Sequence, residues 1–444
     1  GAPERVLEMA ANQRLGEDVA PLNHAYWREQ VEGLAAKGQR VLAFAERAGP
    51  QAGNELRDAD LDGALTLLGL VGLIDPPRAE AIAAVAECHD AGISVKMITG
   101  DHAGTAGAIA AQIGLRDAER VLTGADLDRM EDAALNEAVF ATNVFARTSP
   151  EHKLRLVKAL QAHGLVVAMT GDGVNDAPAL KRADVGVAMG RKGSDAAKEA
   201  ADLVLADDNF ASIAAAVREG RTVYDNVRKV VSWVLPTSAG ASMTIIVALL
   251  AGLTLPISPL QILWVNLVTA ITLGLALAFE PTEDNTMRRP PRRRDEPLLQ
   301  ADLVWHVVLV SMLLLFGVYG MFAYALERGY SQDLARTIAV NTLVVMKIFH
   351  LFFIRNIYGA SLTWSAAKGT PVVWLCVTSI TAAQLVFTYA PPFQHVFATE
   401  ATPIGDGVII IGVGVAFFVL VEIEKQIRLR LPRIGAGAKS EATA

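Results

Sequence analysis

TGDGVNDAPAL, Thr170 to Leu180, sets two carboxylates, Asp172 and Asp176, one helical turn apart directly after the apolar run LVVAMTG (Leu165 to Gly171). The run reads as a central parallel strand, and Gly171 and Gly173 allow a tight turn from which both carboxylates project at the strand's carboxyl edge. Hard carboxylate oxygens in that position suit Mg²⁺ in a phosphate-handling site. The plainer reading, Asp172 as an ordinary helix cap, would fit any α/β protein with Asp-Gly before a helical stretch. A second copy of the arrangement weighs against it. KMITGDHAGTAGAIAAQIGL (Lys96 to Leu115) again runs from a short apolar strand through Thr99-Gly100-Asp101 to a small-residue helix whose amino end can hold a phosphate oxygen. Between the two copies FARTSPEHKLRLVKALQ supplies Arg147 and Lys153. Lysine is the compact point charge that neutralises the oxygens of a transferring phosphoryl group.

In this order the three stretches resemble the phosphorylation domain of P-type ATPases, ion pumps built on a haloacid-dehalogenase-like, Rossmann-type core. The resemblance runs from Gly1 to about the end of the chain and points to the calcium-pump-like (type II) subgroup. It implies ATP and Mg²⁺ as cofactors, with Asp172 and Asp176 as the metal carboxylates and Asn175 beside them. It also implies that Thr99, Gly100 and Asp101 hold the phosphate and line the nucleotide side of the cleft, that Lys153 contacts the phosphoryl oxygens, and that Arg147 serves nucleotide binding. GAPE at Gly1 to Glu4 resembles the end of the family's KGAPE sequence, and Arg40 in GQRVLAFAER matches an arginine that reaches the nucleotide phosphates. An ordinary surface arginine beside a buried strand is an equal reading of Arg40 from spacing alone. The family's DKTGT nucleophile sequence, TGE loop and PEGL-type broken helix do not occur in these residues. The chain is therefore expected to be the carboxyl-terminal part of a longer pump, inactive by itself, whose remaining partner is the amino-terminal part.

A hydrophobic content of 52% over 444 residues is too apolar for an all-soluble protein. The excess lies beyond Arg228. Six runs there, at about 231–253, 258–280, 303–326, 335–354, 371–390 and 404–424, are long enough to cross a hydrocarbon core of about 30 Å. MRRPPRRRDEP (Met287 to Pro297) follows the second run and EKQIRLRLPR (Glu424 to Arg433) the sixth, whereas 391–403 has no Lys or Arg. By the positive-inside rule the basic segments, the soluble part and the tail share the cytoplasmic side, as expected of an integral protein of a bacterial plasma membrane. The net charge of −7 gives no support to nucleic-acid binding. Cys88 and Cys376, one in each half, form no disulfide framework or thiolate metal site.

The expected organisation is the end of a nucleotide-binding domain at 1–66, an α/β phosphorylation domain at 67–217, a stalk helix at 218–230, six spans over 231–424 and a cytoplasmic tail at 425–444. Asp75-Pro76-Pro77 suits a hinge after an apolar strand. Strands near 94–98, 143–146, 165–170, 185–188 and 202–205 alternate with helices, which argues for a doubly wound parallel sheet. That sheet should carry a gap and an exposed apolar seam where its catalytic strand is missing.

For the transported cation, ILWVNLVTAITLGLALAFEP (Ile262 to Pro281) resembles the family's sixth span. It sets Asn266 and Thr269 one turn apart, predicted to face the bundle interior and bind the cation. The calcium pumps have aspartate where Ala270 stands. Ser238 and Ala241 fall where the fifth span of that family carries Asn and Glu, and Pro236 is expected either to free backbone carbonyls as neutral ligands or, equally, to form a packing notch with the small residues around it. Lys347 and His350 lie near the cytoplasmic end of the fourth local run, where snorkelling to the interface is as good a reading as function. The leading expectation is an ATP-driven cation pump, with calcium the family-level choice and a monovalent cation or proton close behind. A membrane-tethered phosphatase and a degenerate, non-pumping member are the alternatives.

Overall fold

The computed structural model describes residues 1–47, 61, 63–74, 76–297, 300–355 and 369–430. Asp75 of the expected hinge and residues 431–444 of the tail lie outside these. The chain divides into two compact units, Gly1–Arg218 with Asp284–Glu296, and Glu219–Glu283 with Pro297 onward.

The first unit opens with a four-stranded sheet of β1 (Ala10–Leu15), β2 (Asp18–Pro21), β3 (Arg40–Arg47) and β4 (Leu65–Leu73), in the order β2-β1-β4-β3. β1 and β2 form a hairpin across Gly16 and Glu17. Gly16 has φ +66°, a value that a two-residue turn of this hand requires and that a Cβ would strain. Helices Pro3–Met9 and His24–Ala35 pack against the sheet through Leu7, Val31, Ala35, Val41, Ala43 and Leu67. β4 pairs with both β1 and β3 and continues to Leu73, so this sheet runs past the expected boundary near residue 66.

Six short strands follow: β5 (Met97–Ile98), β6 (Val121–Thr123), β7 (Val144–Ala146), β8 (Ala168–Gly171), β9 (Val185–Met189) and β10 (Leu203–Leu205). All are parallel to their neighbours, but they form two three-stranded sheets, β5-β7-β6 and β8-β9-β10, rather than one. Val144, Phe145 and Ala146 of β7 are completely buried, as a central strand covered on both faces must be. Ile98 of β5 packs on the cluster holding Met169 of β8 and also on the cluster holding Phe145. The two sheets thus lie side by side, with no ladder between β5 and β8 among the described residues. β6 is a strand that sequence reading does not anticipate, because three residues between charged segments carry no periodicity.

Among the described residues six helices are long and apolar enough to cross a membrane, the first of them starting within the first unit and the other five belonging to the second: Phe210–Leu250, Pro259–Ala278, Ala301–Glu327, Gln332–Ile354, Pro371–Tyr389 and Ile404–Arg428. These agree with the six expected runs, and the first helix includes the expected stalk without a break. Gln332–Ile354 is the central helix, since 78% of its most apolar window is buried against 39% or less in each of the others. The second helix is not uniformly α-helical. Ala270–Gly274 is a π turn between Pro259–Thr269 and Leu275–Ala278.

Charged groups at the ends of these helices are buried in pairs. Arg355 Nε donates to Glu280 Oε1 at 2.6 Å, with both side chains under 10% exposed, and Lys229 meets Glu283 at 2.6 Å. Asn226 donates to the Glu280 carbonyl at 2.8 Å, and the Thr222 and Thr282 hydroxyls are 2.8 Å apart. Together these contacts fasten the first helix to the residues that follow the second. The arginine-bearing segment Asp284–Glu296 belongs to the first unit. There, Pro290 and Pro291 lie against Gly92, and Arg294 pairs with Asp184 at 3.2 Å.

Removing one member of a buried pair leaves the other charge uncompensated. Arg355→Met should lower stability by about 3–5 kcal/mol. The check is thermal unfolding of the detergent-purified chain, and an unchanged melting temperature would contradict the pairing.

Candidate functional site

Gly171 ends β8, and a Cβ there would come within 2.5 Å of the Asp176 Cβ. Glycine is required because the Asp176 side chain folds back over the strand end, not because the turn needs positive φ. The buried Asp176 carboxylate then holds the loop. Oδ2 accepts from the backbone N–H of Asp172 at 3.2 Å and of Gly173 at 3.1 Å, and Oδ1 accepts from Lys153 Nζ at 2.5 Å. Asp172 is oriented differently. Its carbonyl accepts from Ser194 N at 2.8 Å, while its carboxylate is exposed and has no protein partner among the described residues. Asn175 is exposed beside it. The loop therefore offers one uncommitted carboxylate, from Asp172, next to a second that is occupied in positioning Lys153.

The loop after β5 is closed on itself. The Thr99 hydroxyl donates to Asp101 Oδ2 at 2.9 Å and accepts from Asp101 N at 3.1 Å. The residues after β7 clamp it from the side, since Thr148 N donates to Thr99 O and Arg147 N to Asp101 O, each at 3.2 Å. Arg147 has φ +51°, a left-handed conformation costly for a non-glycine residue. Its side chain pairs with Glu4 at 3.0 Å. Ser149 then caps helix Pro150–Ala162 through a reciprocal capping box with His152, and the next residue is Lys153. A run of seven residues thus holds the Thr99-Gly100-Asp101 loop at one end and the Asp172–Asp176 loop at the other.

The helix after the first of these loops, Ala103–Gln112, is capped by His102, whose Nδ1 accepts from Gly104 N, so one of its amino-terminal donors is already engaged. Arg40 is exposed at the start of β3, and its side chain makes no hydrogen bond or ion pair among the described residues. Its neighbour Gln39 ties that strand to the same helix through the Thr105 hydroxyl at 3.1 Å. Glu4 and Thr148 are site residues that sequence reading assigned no role. Glu4 lies 143 positions from Arg147, beyond any local pattern.

The two residues expected to bind the transported cation separate. Thr269 is buried, whereas Asn266 is exposed, so the expectation that both face the bundle interior holds for Thr269 alone. Near Pro236 the carbonyls are partly taken: Trp233 O accepts from the Thr237 hydroxyl at 2.8 Å and Pro236 O from Ser311 at 3.1 Å. Ser238 is exposed and Ala241 is buried. The snorkelling reading of Lys347 and His350 is overturned, because both are buried inside the bundle. Their helix is the most buried of the six, and neither side chain reaches the surface of the bundle. His350 Nε2 is 3.0 Å from His306 Nε2, a contact in which one ring must donate and the other accept.

Asp176→Ala should speed hydrogen exchange of the Asp172 and Gly173 amides by about fivefold each, the equivalent of ~1 kcal/mol for a lost capping bond. Asp176→Asn, which keeps an acceptor, should not. Exchange rates that move together in the two variants would show that the carboxylate does not hold the loop. A second outcome concerns Lys96, whose ammonium donates to Thr142 O at 2.8 Å and Asn143 Oδ1 at 2.9 Å. Burial pushes its pKa down from 10.5 to about 8. Between those values the unfolded chain carries a proton that the folded chain lacks, so stability rises with pH across that window and this group adds no slope below it. In Lys96→Met the rise should flatten, as measured by thermal unfolding from pH 7 to 10.5.

A model of the carboxyl terminus of cation transporting ATPases matches residues 254–427, and models of haloacid dehalogenase-like hydrolases match residues 4–184 and 153–217. The probable cation-transporting ATPase F of Mycobacterium tuberculosis is 48% identical over 443 residues, covering 98% of this chain and 48% of that protein. Cation-transporting ATPase pma1 of Synechocystis is 42% identical over 407 residues, 90% of this chain and 45% of the relative. A calcium-transporting ATPase of Bacillus subtilis is 41% identical over 409 residues, 90% of this chain and 44% of the relative. The chain spans just under half the length of these relatives. With its haloacid-dehalogenase-like loops, its paired parallel sheets and its six apolar helices, the chain belongs to the P-type cation-transporting ATPases of the calcium-ATPase-like kind and matches their carboxyl-terminal portion.

Proposed function

We propose that this chain forms the phosphate-handling half and the last six spans of an ATP-driven, Mg²⁺-dependent cation pump. The observation that carries the reading is the placement of Lys153 by Asp176 beside the uncommitted Asp172 carboxylate, at the end of β8 and next to the loop after β5. Asp172 fits a Mg²⁺ ligand, because a hard cation takes an exposed carboxylate oxygen that no protein cation already neutralises. Asn175 is available beside it as a neutral oxygen donor. The bound metal would supply charge neutralisation at the phosphoryl oxygens. The protein's own groups do the remaining work. Lys153, held by Asp176, presents its ammonium to those oxygens, and Thr99, Gly100 and Asp101, braced by Arg147 and Thr148, line the phosphate side. Arg40 and Arg147 serve the nucleotide.

No DKTGT string occurs in these residues, so the aspartate phosphorylated in this cycle comes from outside them. The basic residues of Asp284–Glu296 belong to the same compact unit as the phosphate loops, which supports a common cytoplasmic side for both. Calcium is the cation favoured by the names of relatives such as the Bacillus subtilis protein. The neutral residues Ala241 and Ala270 favour a second reading, a member of the family that binds cations weakly or does not pump.

In the full-length protein, Asp172→Asn should lower Mg²⁺-dependent ATP turnover by about a hundredfold or more while leaving expression and membrane insertion intact. Near-normal turnover would remove Asp172 from the metal site. The 444-residue chain alone should form no hydroxylamine-sensitive phosphoenzyme from labelled ATP, and its detection would show that the nucleophile lies within these residues.

A further inference from the structure

Among the described residues of the second unit three lysines are almost fully buried: Lys229, Lys347 and Lys425. Two are neutralised in the ordinary way, Lys229 by Glu283 at 2.6 Å and Lys425 by Glu422 at 2.8 Å. Lys347 is the exception. It is 2% exposed, forms no ion pair among the described residues, and has one side-chain contact of hydrogen-bond length, to Thr269 Oγ1 at 3.4 Å. An ammonium buried without a carboxylate opposes stability, so its retention calls for a function.

The surroundings say which. Thr269 donates its only hydroxyl hydrogen to the Val265 carbonyl at 2.7 Å, and Thr272 likewise donates to Val268 at 2.7 Å. The lone pairs of the Thr269 oxygen are therefore left to face a cation, and the cation present is the Lys347 ammonium. The π turn Ala270–Gly274 begins at the next residue, and such turns interrupt helices preferentially at functional positions. Lys347 is also fixed in place. Its carbonyl accepts from Trp233 Nε1 at 3.2 Å, which ties the central helix to the first helix at this level.

We propose that Lys347 is a specificity-determining residue that acts as a tethered cation. Its ammonium holds one cation position beside Thr269 and so excludes a mobile cation from it. The inference rests on the reading that the ion path passes Thr269, and it deepens that reading by removing one mobile cation from the path. The exclusion is Coulombic, since two positive charges a few ångströms apart in a poorly hydrated interior repel strongly.

The test titrates Ca²⁺ and, separately, Na⁺ into the detergent-purified chain by isothermal titration calorimetry. Lys347→Gln should bind one of these ions with one more site per chain, or on the order of a hundredfold more tightly, than the unsubstituted chain. Lys347→Arg, which keeps the charge, should titrate like the unsubstituted chain. Adding Thr269→Val to Lys347→Gln should abolish the gain. A folded Lys347→Gln variant that titrates unchanged would overturn the proposal, as would an equal gain in Lys347→Arg. Lys347→Met is the control for folding. Collapse of both the Gln and the Met variants would mark the ammonium as a structural partner and likewise overturn it. A gain that survives Thr269→Val would support the tethered charge while retiring Thr269 from the ion path. Absence of binding in every variant would overturn both.

Discussion

A charge removed from water must find a partner, and that constraint organises both units of this protein. In the first unit the buried Asp176 carboxylate has three donors: two backbone amides of its own loop and the Lys153 ammonium. In the second, Glu280 takes Arg355, Glu283 takes Lys229 and Glu422 takes Lys425. Asp406, which is 1% exposed, accepts from the Tyr324 and Tyr330 hydroxyls and from Arg328. Each partnership joins segments that the chain separates or fixes a helix end that would otherwise fray. Such pairs contribute little net free energy compared with apolar residues of the same shape. Their effect is to forbid alternatives, because any other arrangement would strand a charge.

The same logic explains why the two candidate-site loops can be short and polar yet well positioned. Neither the Thr99-Gly100-Asp101 loop nor the Asp172–Asp176 loop has a hydrophobic core of its own. Both borrow rigidity from the residues between β7 and the following helix, where backbone hydrogen bonds to Thr99 and Asp101 meet the capped helix that carries Lys153. The strained backbone at Arg147 is the visible cost of this clamp. A site held by backbone amides and a helix cap keeps its geometry while the exposed Asp172 carboxylate stays open to ligand.

How much of this was legible in the sequence depends on the range of each interaction. The strand-loop-helix units around Asp101 and Asp172 and the six apolar runs are local patterns, and they appear in the structure where the residues predict them. β6 was hidden because three residues cannot display a period. The single sheet resolves into two because strand pairing is non-local, and no ladder joins β5 to β8. The role of Asp176 follows from Lys153, 23 positions away, and that of Arg147 from Glu4, 143 positions away. For Asn266 and Thr269 helical spacing placed both on one face, but a face becomes interior only when another helix covers it. The central helix covers Thr269 and leaves Asn266 exposed.

Lys347 shows where the pairing constraint is broken and why that matters. At the level of sequence a lysine near the end of an apolar run has two outcomes, an interfacial side chain or a buried one, and composition cannot separate them. Burial of Gln332–Ile354 at the centre of the bundle leaves only the second. The first helix then fixes the residue's backbone through Trp233, and the second helix meets its ammonium with a hydroxyl oxygen whose hydrogen is already committed elsewhere. With Ala241 and Ala270 offering no charge, a path through this point has few anionic groups with which to attract a mobile cation. A lysine ammonium there would be untenable in a path built for several divalent ions. It is compatible with a path in which one position is filled by the protein itself.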